Sequence, residues 1–218
     1  MPKLVSISVL LTVVVEIEYQ RKLMTMTSNQ KQLWLLMASS FQSKTSLFLY
    51  FTESKVTSDF IVDILGDFWK SEEGRFSEIK TLLINQDNGG ENSQGRTQFM
   101  KRIVEFAQSY KLNIRLAYYP PYHSKYNPIE RTWAALENHW NGSILDEVET
   151  GLNFAKTMTW NGKNPVVKLV SQTYFSGVRL TKKAMQEIEN KIKRLTNFSE
   201  DNLPNLGKWF IDICCGVT

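Results

Sequence analysis

Residues 79–90 read Ile-Lys-Thr-Leu-Leu-Ile-Asn-Gln-Asp-Asn-Gly-Gly, and this stretch decides the fold class. Its first seven residues form a short apolar run, typical of a strand buried in a central sheet, which delivers Asp87 to its C-terminal end. An amphipathic helix is predicted over residues 97–110 and a second strand over residues 112–117. A strand, a helix and a strand at this spacing form a crossover unit, so the two strands are predicted to be parallel neighbours in an α/β sheet.

Further elements are predicted on both sides of this unit. Residues 118–128 contain two adjacent prolines, which forbid helix and ladder pairing and therefore predict a rigid loop. Asn127 can cap a helix whose first turn contains Pro128 and Glu130. The other predicted elements are strands at 4–15, 47–51, 166–170 and 208–213, and helices at 57–69, 147–160 and 181–195.

Asp87 and Glu130 are the candidate catalytic residues. Each follows a strand or a rigid loop, so the crossover brings both to the edge of the sheet where α/β proteins place their sites. Two carboxylates held together repel unless a proton or a hard cation lies between them, and Mg²⁺ binds one or two carboxylates while leaving positions for phosphate. With one further carboxylate, such a site can hold two metals for phosphoryl transfer. The same acids also fit a structural role, Asp87 in a turn and Glu130 in a helix first turn.

The composition is that of an ordinary globular chain. Its 218 residues are 42% hydrophobic, 12% aromatic and 22% charged, which excludes disordered, collagen-like and disulfide-dense proteins. The net charge of +4 permits a polyanionic partner without requiring one.

Membrane insertion and export are not favoured. The apolar run at 4–15 is shorter than the roughly 20 residues of a membrane span, and Glu16 and Glu18 follow it in place of a small-residue cleavage site. Cys214 and Cys215 are adjacent, a spacing unsuited to an ordinary disulfide. A cytoplasmic protein without a membrane partner is therefore predicted.

Two sequence motifs around the candidate acids resemble those of a known family. They are Asp-Asn-Gly-Gly-Glu-Asn at 87–92 and Leu-Ala-Tyr-Tyr-Pro-Pro-Tyr-His-Ser-Lys-Tyr-Asn-Pro-Ile-Glu-Arg at 116–131. Both resemble the Rhodopirellula-type DDE transposase family of bacterial insertion sequences, and the Pro-Pro-Tyr and Asn-Pro-Ile-Glu words are also similar to the wider mariner-like superfamily. The resemblance extends over about residues 46–213.

The resemblance implies an RNase H-like fold, in which a mixed central sheet is flanked by helices. It also implies a reaction that uses Mg²⁺ or Mn²⁺ to cleave DNA at the ends of the element and to transfer strands. Asp87 matches the second acid of the family and Glu130 the third, so both are expected to be catalytic residues and metal ligands. The implied partner is DNA, of the transposon ends and the target, and a homo-oligomer is a further expectation.

Four residues on or beside the proline loop are candidate DNA-binding residues: Tyr122, His123, Lys125 and Arg131. Tyrosine rings among basic side chains fit stacking on unpaired bases near a cleaved end, although aromatic residues beside prolines serve packing about as often. His123 and Lys125 fit contacts to phosphate or substrate. The alternative for His123 is a hydrogen bond within the loop.

Two other polar groups are open to a simpler interpretation. Asn88, Asn92 and Arg96 either hold the acidic loop or contact DNA, and a structural role is favoured for the asparagines. A basic stripe on the last predicted helix, interrupted by two glutamates, is interpreted by default as a solvated face that is available to phosphate. The stripe consists of Lys182, Lys183, Lys191, Lys193 and Arg194.

The first acid that the family pattern requires is missing. Residues 4–9 resemble the first strand of the family, but Leu10 and Leu11 follow where an acid is expected, and the first aspartate of the chain is Asp59. Glu16 and Glu18 replace the acid only if the strand slips by several residues. Since an incomplete acid set binds metal weakly, two-metal catalysis is expected to be disabled.

A frameshift is our hypothesis for this gap. Residues 24–27 read Met-Thr-Met-Thr, and reading their codons from the third base gives Asp, then one of Tyr, His, Asn or Asp, then Asp. The next shifted codon permits Phe, so the shifted frame can encode Asp-His-Asp-Phe. This motif occurs early in the catalytic domain of the family that the chain resembles. An out-of-frame segment near residues 10–45 also explains why no glycine precedes Gly66.

The sequence therefore predicts a truncated or frame-disrupted DDE transposase. It is expected to be inactive because its first catalytic aspartate is missing. Residues 1–45 are interpreted as an aberrant segment, 46–213 as an RNase H-like core whose first strands are disrupted, and 214–218 as a tail. Two alternatives stay open. One is a non-catalytic DNA-binding remnant, and the other is a stand-alone metal-dependent nuclease that uses Glu16 or Glu18 as its missing ligand.

Overall fold

The computed structural model describes residues 7–15, 32–40, 46–77, 79–119, 128–141, 148–194 and 209–215. Within these ranges the chain forms eight strands and five α-helices. The strands are β1 (Ile7–Val15), β2 (Gln32–Ser40), β3 (Ser46–Thr52), β4 (Thr81–Gln86), β5 (Asn113–Tyr118), β6 (Val166–Val170), β7 (Ile192–Arg194) and β8 (Phe210–Ile213). The α-helices are α1 (Ser58–Glu72), α2 (Thr97–Ser109), α3 (Pro128–Trp140), α4 (Val148–Thr157) and α5 (Lys182–Glu189), and a 3₁₀ turn follows α1 at Glu73–Arg75.

The eight strands form one mixed sheet in the order β6-β3-β2-β1-β4-β5-β8-β7. Strand β2 is antiparallel to both of its neighbours, β1 and β3. Strands β4 and β5 run parallel to β1, and β6 runs parallel to β3. The parallel pair β4 and β5 is joined by α2, which confirms the crossover unit predicted from the sequence. This mixed sheet flanked by helices is the architecture expected of an RNase H-like fold.

Pairing of the first two strands corrects one detail of the sequence prediction. We expected the first strands to be disrupted, yet β1 pairs with β2 from Ile7 to Val15, with a register shift only between Thr12 and Val15. On its other side β1 pairs with β4 through Val9, Leu10 and Leu11. An apolar β-branched run can occupy a strand position whatever its origin, because the ladder uses backbone groups and the face pattern needs only hydrophobic side chains.

The main core lies between the sheet and the helices α1 and α2. Thr57 caps α1 by accepting a hydrogen bond from the backbone N–H of Phe60 (3.3 Å), which fixes the start of the helix. From there the apolar residues of α1 recur at helical spacing and face the sheet. Fully buried members of this core include Phe60, Leu65, Phe68, Leu82, Ile84, Phe99, Ile103, Ile114 and Leu116.

A smaller core covers the opposite face of the sheet. Strand β3 contributes to both cores, because its residues alternate between the two faces: Phe48 and Tyr50 face α1, and their neighbours face α3 and α4. The second core contains Leu47, Leu49, Phe51, Leu136, Trp140, Ala155 and Met158. Helices on both faces of a central strand explain why β3 has almost no exposed residue.

The helix predicted over 181–195 was wrong in its second half. Helix α5 ends at Glu189, the chain turns, and residues 192–194 form β7, which pairs with β8 through Ile192 and Ile213. Arg194 Nη2 bonds Glu189 Oε1 across the turn at 2.7 Å. The physical reason is tertiary: β8 pairs with β5 on one side, and the free backbone groups on its other side are satisfied by β7.

No helix in the described ranges combines the length and apolar character needed to cross a membrane.

Asp67 connects α1 to the edge of the sheet through two side-chain hydrogen bonds. It accepts hydrogen bonds from Tyr50 Oη (2.7 Å) and Lys168 Nζ (2.5 Å), which tie α1 to β3 and to the edge strand β6. Burial acts to raise the pKa of Asp67, but the hydrogen bonds from Lys168 and Tyr50, together with the charge of Lys168, outweigh it, and the pKa lies below its ordinary value.

We expect Asp67→Asn to lower stability at neutral pH by up to about 1 kcal/mol, a modest figure because the pair is half exposed. Ionised Asp67 stabilises the fold above its ordinary pKa, and this contribution is lost as the pH falls through the lowered value. Urea unfolding at pH 7 and at pH near 2 measures the effect, with Glu73→Gln as an exposed control. An equal loss at both pH values would contradict this explanation.

Candidate active site

Asp87 lies at the C-terminal edge of the parallel strands, directly after β4. The backbone N–H of Tyr119 donates to the carbonyl of Gln86 (2.9 Å), which holds the end of β5 against the end of β4. Glu130 is the third residue of α3, and α3 lies against β1, the other neighbour of β4. The chain topology therefore places helix α3, which includes Glu130, against the strand next to β4.

The carboxylate of Asp87 is desolvated and forms no ion pair with a residue that the structure describes. Its Oδ1 accepts a hydrogen bond from Asn92 Nδ2 (3.0 Å), and the backbone N–H groups of Gly89 and Asp87 itself also bond the carboxylate. Burial raises the pKa of Asp87 and outweighs these hydrogen bonds. Since no described Lys, Arg or His forms an ion pair with this acid, a bound cation would supply the missing positive charge.

Asn92 holds the acidic loop in place from a fully buried position. Besides Asp87 Oδ1, its Nδ2 reaches the backbone carbonyl of Asp87 (3.1 Å) and Gln86 Oε1 (3.4 Å). Tyr118 Oη donates to the backbone carbonyl of Asn92 (3.3 Å), which connects the loop to the end of β5. The structural role favoured for Asn92 from the sequence is confirmed, and one oxygen of Asp87 is fixed by it.

Other loop residues are also engaged in structure. Asn88 Oδ1 accepts from the backbone N–H of Gln94 (3.3 Å), and Arg96 forms an ion pair with Glu91. Ser58 Oγ at the start of α1 donates to the carbonyl of Glu91 (2.7 Å). These bonds attach the loop to α1 and leave the described contacts of Asn88 and Arg96 structural.

Gly89 is required because the loop passes close to Asn92. A Cβ at position 89 would lie 2.7 Å from Asn92 Oδ1 and 3.4 Å from Asp87 Oδ1, whereas a Cβ at Gly90 meets nothing within 4 Å. Oδ1 of Asn92 is buried, and no described donor bonds it. Only glycine lets the backbone approach this amide so closely.

We expect Gly89→Ala to destabilise the fold by about 1–3 kcal/mol, the usual cost of overpacking. Gly90→Ala is the matched control and should stay within about 0.5 kcal/mol of the native chain. Urea unfolding of the two variants side by side measures the difference. Equal stability of the two alanine variants would show that the contact between position 89 and Asn92 relaxes freely.

The register of β1 distinguishes the two positions at which the first acid was expected. Leu10 pairs with Asn85 and Leu11 with Gln86 in the parallel ladder between β1 and β4. Residues two apart on a strand share a face, so position 10 is on the face of Asn85 and Asp87, while position 11 is on the face of Gln86. Of the two positions, Leu10 is therefore the one that shares a face with Asn85.

The described residues fit one hard cation and do not by themselves form a two-metal site. Among the described residues no group of three or more His, Cys, Asp or Glu side chains lies close enough to hold a metal ion. One or two carboxylates together with water and substrate phosphate are a common ligand set for Mg²⁺. Asp87, with a desolvated carboxylate and no ion pair to a described residue, suits that role.

The structure describes only some of the remaining predicted site residues. Arg131 is exposed on α3. Tyr122, His123 and Lys125 lie outside the described residues, as do Glu16 and Glu18 and the side chain of Glu130. The buried contacts of Gln86 and Tyr118 with Asn92 were not predicted from the sequence. The signal that could have indicated them is the alternation of β4, which places Gln86 on the buried face with Leu82 and Ile84.

Comparison with known proteins identifies the family of this chain. Residues 40–214 match the model of one protein family, described as the Rhodopirellula transposase DDE domain. No curated protein and no solved structure matches the chain. The family match spans both candidate acids and every described element from β3 onward. The chain belongs to the Rhodopirellula transposase DDE domain family.

Proposed function

We propose that this chain is a DDE transposase domain of an insertion sequence, built for metal-dependent DNA cleavage and strand transfer but catalytically incomplete. The observation that carries the proposal is the register of β1, which puts Leu10 on the face of Asn85, two residues before Asp87. We infer that the missing acid belongs at position 10 and that Glu130, on the helix that lies against β1, completes the set. Family membership supports the DNA substrate.

Each residue has a definite part in the intact reaction. Asn92 and the backbone N–H of Gly89 orient the carboxylate of Asp87, whose Oδ2 receives no side-chain hydrogen bond from a described residue. Asp87 and Glu130 would hold Mg²⁺ or Mn²⁺. When bound, the ion activates the attacking water or 3′-hydroxyl and stabilises the charge that develops on the phosphodiester. Leucine at position 10 supplies no ligand, so a second ion has too few carboxylates.

Incubating the purified chain with Mg²⁺ or Mn²⁺ and DNA from the ends of an insertion sequence tests the proposal. We expect DNA binding without cleavage, which also describes the non-catalytic remnant considered above. Metal-dependent cleavage that is lost in Glu130→Gln would support the nuclease alternative and contradict incompleteness. Neither binding nor cleavage would contradict the assignment of a DNA substrate to this chain.

The frameshift is proposed as the origin of the missing acid. Under this proposal residues 4–9 keep the family frame, residues near 10–45 do not, and the core from residue 46 to 213 is again in frame. Sequencing the gene tests it. Stop codons throughout the shifted frame, or no acid codon near position 10, would show that another event removed the aspartate.

The cytoplasmic location predicted from the sequence stays part of this proposal. Cys214 and Cys215 are free, exposed thiols, a state that a reducing compartment maintains. Self-association, as a homo-oligomer, is proposed from the family resemblance.

A further inference from the structure

A basic segment crosses the edge of the molecule at which Asp87 lies. We define it as residues 171–183, the connection from β6 to the first turn of α5. Near its start the backbone N–H of Tyr174 donates to Ser54 Oγ (2.7 Å), just beyond the C-terminal end of β3. Near its end the backbone N–H of Leu180 donates to Thr97 Oγ1 (3.1 Å), the first residue of α2.

Both attachment points belong to the edge that carries Asp87. Strand β3 runs parallel to β1 and β4, so its C-terminal end is at the edge where β4 ends. Helix α2 begins directly after the loop that contains Asp87 and runs back from this edge. The basic segment is therefore held along the edge of the candidate active site, where helices α1 and α2 begin.

Three cations of this segment are exposed and unpaired. Arg179, Lys182 and Lys183 form no ion pair with any described acid, including Glu187, which follows Lys183 by four residues on α5. In contrast, Arg194 of the same basic stripe is neutralised by Glu189. The stripe, interpreted from the sequence as a solvated face interrupted by two glutamates, is thus divided by the turn into β7. The part that forms no ion pair with a described acid lies at the active-site edge.

Helix stability does not explain these cations. Lys182 and Lys183 occupy the first turn of α5, where the helix dipole disfavours positive charge, and Thr181 already caps the helix through Ala184 N–H (3.3 Å). The apolar residues Met185 and Ile188 of α5 pack on the main core, which leaves the charged side of the helix in solvent. Several exposed cations on one segment suit the phosphates of a nucleic-acid backbone.

We propose that Arg179, Lys182 and Lys183 bind the phosphate backbone of duplex DNA that lies across the Asp87 edge. The proposal rests on the proposed function, since that function supplies DNA as the substrate. These residues give affinity and register rather than sequence preference, because contacts to phosphate carry no base information. They position a phosphodiester at the acids without taking part in its chemistry.

The test compares two triple variants of the full chain: Arg179→Gln/Lys182→Gln/Lys183→Gln and the control Lys70→Gln/Lys80→Gln/Lys111→Gln. The control removes three exposed lysines from the opposite edge, beside the end of α1 and the starts of β4 and β5. Both variants change the net charge equally. Fluorescence anisotropy with a labelled duplex of arbitrary sequence is measured from about 50 to about 200 mM salt.

We expect the first variant to bind on the order of 10²-fold more weakly near 0.1 M salt, with a salt slope smaller by roughly 2 to 3, since each lost phosphate contact removes about 0.9. The control should keep the native slope within about 0.5. Equal salt slopes and equal affinity losses in the two variants would refute the assignment of Arg179, Lys182 and Lys183 as the DNA-binding surface. That result would leave DNA binding by the chain intact. No binding by the native chain would overturn both the surface and the proposed DNA substrate.

Discussion

Leu10→Asp is expected to give the chain Mn²⁺-dependent nicking of supercoiled plasmid at a rate on the order of 10²-fold or more above the native chain. A carboxylate at position 10 joins Asp87 on one face of adjacent parallel strands and completes the set of three acids. Metal stabilisation of transition-state charge amounts to several kcal/mol, and each 1.4 kcal/mol is a factor of about ten in rate. The fraction of open-circular plasmid against time measures it.

Leu11→Asp is the matched control for this experiment. It adds the same charge one residue later, on the face shared with Gln86 and the main core, where the acid cannot join Asp87. We expect no nicking from this variant and none from Leu10→Asp/Glu130→Gln. Activity in Leu11→Asp equal to that in Leu10→Asp would show that position 10 is not the site of the missing acid.

Phe99→Ala is expected to destabilise the fold by about 3–5 kcal/mol, the usual cost of removing a buried aromatic ring. Phe99 is fully buried in the main core on α2, the helix that follows the Asp87 loop. Because typical domains are stable by only about 5–15 kcal/mol, this single change removes a large share of the total.

The control for the core prediction is Phe175→Ala. Phe175 is 75% exposed, so removal of its ring should change the free energy of unfolding by no more than about 0.5 kcal/mol. Urea unfolding followed by far-ultraviolet circular dichroism measures both variants. A loss below about 1 kcal/mol for Phe99→Ala would contradict the assignment of α2 to the main core.

The crossover unit was predictable because its local signals agree. The apolar run before Asp87, the amphipathic period of α2 and the short strand after it all indicate the same arrangement, and the structure confirms it within one or two residues. The position of Asp87 followed directly, since the C-terminal ends of neighbouring parallel strands meet at one edge.

Tertiary pairing decided the parts that the sequence did not predict. Strand β2 lies in a stretch without Gly or Asp, so neither of these turn residues marks its ends. Its strand character depends on β1 and β3 on either side. Strand β7 continues a helical pattern in the sequence but completes the backbone hydrogen bonding of β8. Local propensity does not contain either requirement.

The finer organisation of the site also depends on residues that are distant in the sequence. Tyr118 and Asn92 are 26 positions apart, yet their bond fixes the loop that carries Asp87. Likewise, the choice between Leu10 and Leu11 required the register with β4, because a shift of one residue exchanges the two faces of a strand. The sequence predicted the residue types of the site, and the pairing of strands assigned their faces.

A Mn²⁺ titration followed by electron paramagnetic resonance tests the central claim, that two family acids are assembled at the sheet edge and the third is missing at position 10. The native chain, Leu10→Asp, Leu11→Asp and Leu10→Asp/Asp87→Asn are compared. We predict that Leu10→Asp binds Mn²⁺ about tenfold or more tightly than the native chain, because affinity rises with the number of charged ligands, and that Asp87→Asn removes this gain. Equal Mn²⁺ affinity in Leu10→Asp and the native chain would contradict the account.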